Sequence, residues 1–341
     1  MKTLILAAIR CSLLFLVPSI IYGSSAQWDL DPISGDWNTA DNRTPNGVPN
    51  GPGDTATFGL SNTTDVSISE DTEVNGIIFT SAATNPYGIT VNAELTLTVS
   101  GVSITNNSGV NQTLTTVADA SGNFGTIRFS NSATAAGVTI SNEGGTTNFF
   151  DRSTAAGASI FNVGGGSTNF FNRSTAGSAF IENDFGSTNF FDNSSAGSAG
   201  FSSFLGGGIA FFDNSTAGNA TINLLSFEGE AIVRFADSSN AGSATITLRF
   251  GTDIAAVSFE DSSQGGTARI RFDGFPGDRA ILDISAHDAA GVTIGSIEGE
   301  GGDVFLGANN LTVGSNNLST TFPGVIQDGS AFGGRHWRFT D

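Results

Sequence analysis

The chain has 341 residues, with 13 basic and 32 acidic side chains and a formal net charge of −19. Nucleic-acid binding requires clustered Lys and Arg that neutralise phosphates, so this balance excludes nucleic acid as an expected partner. The negative charge instead favours solubility and mutual repulsion in an exported protein.

Residues 1–26 have the pattern of a secretory signal peptide. Lys2 and Arg10 flank apolar residues, an apolar run covers residues 11–21, and Ser24-Ser25-Ala26 supplies small side chains before Gln27. The run is too short for a stable membrane span, so we expect none after cleavage. Cleavage would also remove the chain's one cysteine and two of its basic residues, which leaves 11 arginines and a formal net charge of −21.

Residues 27–65 are interpreted as an N-terminal cap. The segment contains Trp28, Trp37 and a turn-rich stretch over residues 44–53. An open first coil of stacked β-structure is a template for aggregation, so it needs a cover. We expect the two tryptophans to plug the first coil, and stacking on a sugar is the alternative role.

Short runs that alternate apolar with hydroxyl side chains begin at residue 66. They indicate strands with one buried face, as in irregular early coils of the repeat that follows. The runs are Val66–Ile68, Gly76–Phe79, Ile89–Val91, Leu95–Val99 and Val102–Ile104.

A repeat dominates residues 130–272, where the phrase F-x-(D/N)-x-S-T-A-G-x-A-x-I recurs. One column, with spacings of 21, 21, 20, 21, 23 and 24, contains Phe129, Phe150, Phe171, Phe191, Phe212, Phe235 and Phe259. A second, with spacings of 20, 21, 20, 21, 24, 24 and 24, contains Ile140, Ile160, Ile181, Phe201, Ile222, Ile246, Ile270 and Ile294. Such a period predicts a solenoid, because one unit cannot bury its own apolar face and must stack on its neighbours.

Each coil is expected to contain two strands and two corners. The Phe column and the Ala-x-Ile phrase supply the strands, and the S-T-A-G phrase turns a corner with its glycine at positive φ. No helical pattern follows the signal peptide. The sequence therefore predicts an all-β fold, a single-stranded parallel β-helix (β-solenoid) over residues 66–334, right-handed and with about a dozen coils.

Strand parity gives a candidate binding surface. The polar Arg128 and Arg234 precede Phe129 and Phe235, so these two rings are expected to point inward. If the middle coils follow the same parity, two sets of side chains point inward. They are the rings of Phe150, Phe171, Phe191 and Phe212, and an amide ladder of Asn148, Asn169 and Asn189. The candidate surface is an outward stripe that lies between Arg128 and Arg234. It consists of Phe149, Phe170, Phe190 and Phe211. An apolar stripe on an exported rod marks a binding or self-association site. The alternative is a shifted register that buries these four rings.

The sequence offers little for catalysis or metal binding. His287 occupies the position of a corner and is expected to be solvated, and His336 lies near the end of the chain. The acidic stretch over residues 298–303 lacks the nonapeptide repeat of calcium-binding β-rolls. A corner column of Asp151, Asn172, Asp192 and Asp213 must be exposed, because carboxylates about 5 Å apart repel by only about 0.8 kcal/mol in water. We expect no catalytic residue, no metal and no cofactor.

Several segments together point to one family. They are Gln27-Trp28, residues 35–38, residues 49–58, the S-T-A-G-x-A-x-I coils, and residues 294–299 with 304–314. These resemble the start, middle and last coils of passenger regions of bacterial autotransporters with autotransporter-associated β-strand repeats. The resemblance covers nearly all of residues 27–334. It implies an export route and a rod architecture, and it supplies neither a catalytic motif nor a ligand.

Residues 335–341 depart from that family. In proteins of that family, a segment similar to residues 324–329 is usually followed by Gly-Gly-Thr-Gly-Gly-Ser-Leu-Thr-Lys, further repeats and a membrane β-barrel. The last seven residues can be encoded by a nucleotide sequence that, read in the frame shifted by one base, encodes Gly-Thr-Gly-Gly-Ser-Leu-Thr. We therefore hypothesise that residues 335–341 are a frameshifted tail in which His336 and Trp337 have no evolved role. No barrel pattern of alternating strands is present, so this chain alone is not expected to anchor in an outer membrane.

The expected function is that of a non-catalytic exported rod with a structural or adhesive role, displayed at a bacterial surface or released from it. Its expected partner is a glycan, a host or cell surface, or a second rod. The alternative is a carbohydrate-active β-helix enzyme, either a polysaccharide lyase or a hydrolase. Paired acids with an arginine in a groove would favour the enzyme, while acids confined to a solvated corner would favour the rod.

Overall fold

The computed structural model describes residues 24–227, 229–249, 253–274, 279–288 and 291–331. The predicted signal peptide up to residue 23 and the predicted tail with His336 and Trp337 lie outside the described residues. The described chain consists of β-strands and turns, with one short 3-10 helix at Ala40–Asn42.

The strands fall into an irregular early part, a regular middle and a short C-terminal part. The early strands are β1 (Ala26–Trp28), β2 (Arg43–Thr44), β3 (Gly51–Phe58), β4 (Asp65–Ile68), β5 (Thr72–Phe79), β6 (Gly88–Val91), β7 (Thr96–Asn106) and β8 (Thr113–Val117). The middle strands are β9 (Thr126–Phe129), β10 (Thr139–Glu143), β11 (Thr146–Phe149), β12 (Ser159–Val163), β13 (Ser167–Phe170), β14 (Phe180–Asp184), β15 (Ser187–Phe190), β16 (Gly200–Phe204), β17 (Gly208–Phe211), β18 (Thr221–Leu225), β19 (Ala231–Phe235), β20 (Thr245–Arg249), β21 (Ile254–Phe259), β22 (Arg269–Asp273) and β23 (Arg279–Asp283). The last strands are β24 (Val292–Ile294), β25 (Ser296–Gly299), β26 (Asp303–Phe305), β27 (Leu311–Val313) and β28 (Val325–Gln327).

Two long sheets run along the stack. The first sheet has 15 described strands, in the order β2-β1-β3, then the odd-numbered strands to β23, then β26 and β28. The second sheet has 11, the even-numbered strands from β4 to β22 followed by β25. Pairing is parallel except between β1 and β2. A coil thus contributes one strand to each sheet, which confirms the predicted parallel β-helix of about a dozen coils. Its hand stays a prediction.

Two columns of identical or similar side chains form the core. In the first sheet Phe149 pairs with Phe129 and Phe170, and the ring centroids lie 4.8 Å apart. In the second sheet Ile160 pairs with Ile140 in the same way. These residues are fully buried, and one continuous apolar cluster extends from the first coil to the last ones. Parallel in-register stacking places like side chains directly above one another, so each coil seals the core of its neighbour.

A ladder of buried amides also crosses the core. Asn142, Asn162 and Asn183 are fully buried at successive positions of the second sheet. Asn162 Nδ2 donates to Asn183 Oδ1 at 2.8 Å, and Asn142 Nδ2 donates to Asn162 Oδ1 at 2.7 Å. The Thr168 hydroxyl adds a bond to Asn162 Oδ1 at 2.8 Å. Because these polar groups satisfy one another, the ladder adds specificity to the stacking without the cost of unpaired buried groups.

Glycine is required at the S-T-A-G corner for two reasons. Gly218 has a φ of 59°, and a Cβ at this position would lie 2.7 Å from the carbonyl oxygen of Gly197. Both the left-handed backbone and the close approach of the next coil therefore favour glycine. In the coil of Gly157 the left-handed residue is Ala156 instead, with a φ of 47°.

The first coil is plugged by aromatic rings around a buried cation. Trp28 and Trp37 are fully buried, and their indole N–H groups donate to backbone carbonyls at 2.9 and 3.1 Å. This agrees with their predicted role as plugs, and the sugar-stacking alternative is wrong because no ring face is accessible. The guanidinium of Arg43 lies 4.6 Å from the Trp37 ring and 5.0 Å from the Trp28 ring. Burial lowers the pKa of Arg43 to about 10.

The outer face of the first sheet changes character along the rod. Ile232, Ala256 and Ile281 occupy one outward column, yet they are at least 95% buried in a small second cluster. The preceding residues of that column, such as Ser187 and Gly208, lie outside this cluster. However, Gly208 and Ala210 of β17 are already buried, so the covered face begins at β17, and an accessible outer face remains in β11, β13 and β15.

Candidate functional site

The predicted outward stripe lies in the core. Its four rings have no exposed surface, and they continue the inward column of Phe129, Phe235 and Phe259. The residues are Phe149, Phe170, Phe190 and Phe211. The predicted outward orientation is wrong because the register of the middle coils is shifted by one residue, which exchanges the two faces of a strand. These rings cannot contact a ligand.

The half-buried ladder next to the core consists of Phe150, Phe171, Phe191 and Phe212, which were predicted to point inward. Their ring centroids are 4.8, 5.0 and 5.2 Å apart. The Arg128 guanidinium lies 4.4 Å from the first ring, and the Arg234 guanidinium lies 5.4 Å from the last. The two arginines therefore flank an aromatic ladder through cation–π contacts, one residue away from the predicted stripe. Because stacked rings cover one another's faces, this ladder presents ring edges to solvent.

The predicted inward amide ladder lies on the outer face. Asn169 Nδ2 donates to Asn148 Oδ1 at 3.0 Å, and Asn189 Nδ2 donates to Asn169 Oδ1 at 2.9 Å. The same one-residue shift explains this correction, since each asparagine precedes an inward phenylalanine. The buried ladder of Asn142, Asn162 and Asn183 was missed, although its members follow the inward Ile column by two residues.

These outward side chains line a groove along β11, β13 and β15, which we call the outer-sheet groove. Its volume is about 730 Å³, within the usual range of ligand sites. The floor contains the amides and a row of hydroxyls, of which Thr146 and Ser167 are 2.9 Å apart. None of the described residues that line the groove is charged. The groove is defined by Asn148, Asn169, Asn189, Thr146, Ser167, Ser187, Phe171, Phe191 and Phe124.

The Asp/Asn corner is exposed or half-exposed, as predicted. Each corner residue lies in the left-handed region, for example Asp151 with a φ of 58° and Asp213 with a φ of 53°. Its side-chain oxygen accepts a hydrogen bond from the backbone N–H of the corner residue in the preceding coil. The bond from Asn131 N to Asp151 Oδ2 is 2.9 Å, and that from Asp192 N to Asp213 Oδ2 is 2.9 Å. These carboxylates therefore connect coils.

His287 is buried, so the predicted solvated corner histidine is wrong. Its side chain occupies the column of Ser263, and its Nε2 lies 2.9 Å from the carbonyl oxygen of that residue. The backbone of His287 forms a bridge to Asp261. This histidine packs between coils rather than in an open cleft.

A second groove of about 600 Å³ near the C-terminal coils combines arginines and acids. The Arg271 Nε lies 3.2 Å from Glu298 Oε1, and the Arg269 Nε donates to the same oxygen. Asp273 and Glu300 also line this groove. Such a combination was expected of the enzyme alternative. However, the Glu298 oxygen that would act as a base is already bonded to two guanidiniums.

Nowhere in the described ranges do three or more His, Cys, Asp or Glu side chains come together as a metal site requires. The described part of the chain also contains no helix that is long and apolar enough to cross a membrane. No family model, no curated protein and no solved structure matches the chain.

Proposed function

We propose that the chain is a non-catalytic binding rod, exported from a bacterial cell and displayed at its surface or released from it, with a structural or adhesive role. The observation that carries this proposal is the continuous stack of coils, whose outer face repeats the same side chains at the coil spacing in β11, β13 and β15. A rod of this kind presents a long lateral surface rather than a single cleft. The resemblance to autotransporter passengers supports the export route.

Export and adhesion are tested separately. The chain is produced with residues 1–26 in a Gram-negative host, followed by cell fractionation and N-terminal sequencing. We expect a mature chain beginning at Gln27 outside the cytoplasm, and an uncleaved cytoplasmic chain would contradict export. The purified rod is then immobilised in a flow cell. The number of cells that it retains is compared with the number of the same cells retained by heat-unfolded rod. Equal retention on both surfaces would contradict an adhesive role.

The second candidate function is that of a polysaccharide lyase or hydrolase, and the groove of Arg269, Arg271 and Glu298 is the observation that favours it. Paired carboxylates and a positive charge are what such chemistry uses. The purified chain is incubated with polygalacturonate, alginate and xylan, and new reducing ends and unsaturated products are measured. Turnover that the Glu298→Gln variant lacks would favour the enzyme over the rod.

A further inference from the structure

We propose that the outer-sheet groove binds a neutral polysaccharide chain lying along the axis of the rod. This inference rests on the proposed function, because it names the class of ligand that the binding rod would recognise. It concerns a different surface from the acid–arginine groove and needs no catalytic group.

The charge of the groove selects for a neutral ligand. The whole chain carries a formal net charge of −19, yet none of the described residues lining this groove is charged. The net negative charge of the chain would repel an anionic polymer, and the exposed Arg128, which pairs with Asn148, offers it a cation only at the β9 end of the groove. A cationic polymer would find no carboxylate among the lining residues. A polyol without charge meets neither obstacle.

The floor of the groove retains hydrogen-bonding capacity. An amide side chain offers two N–H donors and two acceptor lone pairs, and the ladder uses one of each at Asn169. The outward hydroxyls of Thr146, Ser167 and Ser187 add donors and acceptors along a parallel line. Sugar hydroxyls both donate and accept, so they match this mixed set.

The spacing of the groove matches a linear polymer. Corresponding side chains on successive coils are about as far apart as the stacked Phe171 and Phe191 rings, whose centroids are 5.0 Å apart. A β-linked pyranose unit in an extended glycan has a similar length, so consecutive sugars would meet the same donors and acceptors on consecutive coils.

Apolar walls enclose this polar floor. The ring edges of Phe171 and Phe191 form one side, and Phe124, which is 49% exposed, lies on the other. Sugar rings carry apolar C–H faces, and binding sites that combine aromatic walls with a few placed polar groups bury such faces. The groove ends where the covered face begins at β17, so its three coils hold a short segment of a longer glycan.

The test uses native gels that contain a neutral polymer (hydroxyethylcellulose, xyloglucan, galactomannan or a soluble β-1,3-glucan) or an anionic one (polygalacturonate or alginate). The binding variant carries Asn169→Val and Asn189→Val, which remove the amides and keep strand propensity. Asn223→Val is the matched control, because Asn223 is a half-buried amide on the second sheet. Phe124→Ala is a second binding variant that leaves the core intact, and circular dichroism melting confirms folding.

We expect at least one neutral polymer to retard the wild-type chain and the Asn223→Val control equally. The double variant should bind about tenfold more weakly, the effect of one or two lost hydrogen bonds, and Phe124→Ala should bind several-fold more weakly. The anionic polymers should cause no retardation. The proposal is overturned by equal binding of anionic polymers, by absence of retardation in every neutral polymer, or by undiminished binding of both binding variants.

The flow-cell assay separates this proposal from the proposed function. If wild-type rod retains cells and the double variant retains them equally, the groove proposal fails while the adhesive rod stands. If even the wild-type rod retains no cells, the adhesive role itself fails.

Discussion

Replacement of Phe170 by alanine should destabilise the rod far more than replacement of its neighbour Phe171. Phe170 is fully buried and stacks between Phe149 and Phe190 at centroid distances of 4.8 and 4.7 Å. Removal of a buried phenylalanine costs about 3–5 kcal/mol, and the loss of two stacked partners places this site near the upper end. We therefore expect a loss of about 5 kcal/mol for Phe170→Ala.

Phe171 provides a matched control in the same coil. It has equally close stacking partners, at 4.8 and 5.0 Å, but it is only half-buried. Half of the usual burial energy of such a side chain is about 1 kcal/mol, and weakened stacking adds about 1 kcal/mol. The expected loss for Phe171→Ala is about 2 kcal/mol, so the two variants should differ by about 3 kcal/mol.

Amide hydrogen exchange of a chain that begins at Gln27 measures this difference locally, which suits a solenoid whose stability is the sum of coil and coil–coil interface contributions. A difference of 3 kcal/mol corresponds to about a hundredfold faster exchange in β11, β13 and β15 of Phe170→Ala than in the same strands of Phe171→Ala. Equal protection in the two variants, or faster exchange in Phe171→Ala, would refute the register described here.

Three further outcomes are expected. Asn162→Ala should lower the free energy of unfolding in urea by about 3–5 kcal/mol, because it leaves buried donors and acceptors unpaired. Asn169→Ala on the outer face should lower it by less than about 1 kcal/mol. Similar losses in the two variants would contradict the assigned faces. Burial raises the pKa of Tyr87 to about 12, although a bond to Ser61 opposes it. Absorbance titration of a chain that begins at Gln27, in which Tyr87 is the single tyrosine, should show ionisation near pH 12, and ionisation near pH 10 would contradict the burial. Because the folded pKa exceeds the unfolded one, stability is complete below about pH 10 and declines by up to about 3 kcal/mol as the pH rises to about 12. Phe185→Asn should raise the free energy of unfolding in urea by about 1 kcal/mol, because Phe185 is 53% exposed with a φ of 52°, which asparagine tolerates better. A lower free energy of unfolding would show that the ring contributes more than the strain costs.

The repeat was sufficient to predict the solenoid, and a closer comparison of its two columns would have fixed the register. The inward phenylalanines Phe129, Phe149, Phe170, Phe190, Phe211, Phe235 and Phe259 are spaced by 20, 21, 20, 21, 24 and 24 residues. These intervals equal those of the Ile column, because both columns pass through the same coils. The predicted column included an interval of 23, the point at which it returned from the outward to the inward face.

The buried amide ladder was also accessible to this reasoning. Asn142, Asn162 and Asn183 lie two residues after inward isoleucines, and period-two alternation places them inward as well. In contrast, the burial of Arg43 and His287 depends on which distant coils meet them, so local patterns could not predict it. The outer-sheet groove could not be predicted from the sequence, because the predicted register places the amides of its floor in the core.

The corner hydrogen bonds give the rod a direction. Each corner N–H is satisfied by a side chain one coil further along the chain, as when Asp213 N donates to Asp237 Oδ2 at 3.0 Å. A partly formed rod that grows from its N-terminal end therefore always presents one unfilled donor at its newest corner. The next coil supplies a carboxylate or amide oxygen that accepts a hydrogen bond from that N–H. The corner N–H of the new coil is then the unfilled donor. Assembly from the N-terminal end, the order in which a ribosome releases the chain, would thus be primed at every step by the coil just completed. Assembly in the opposite order would begin with an oxygen that has no hydrogen bond to accept.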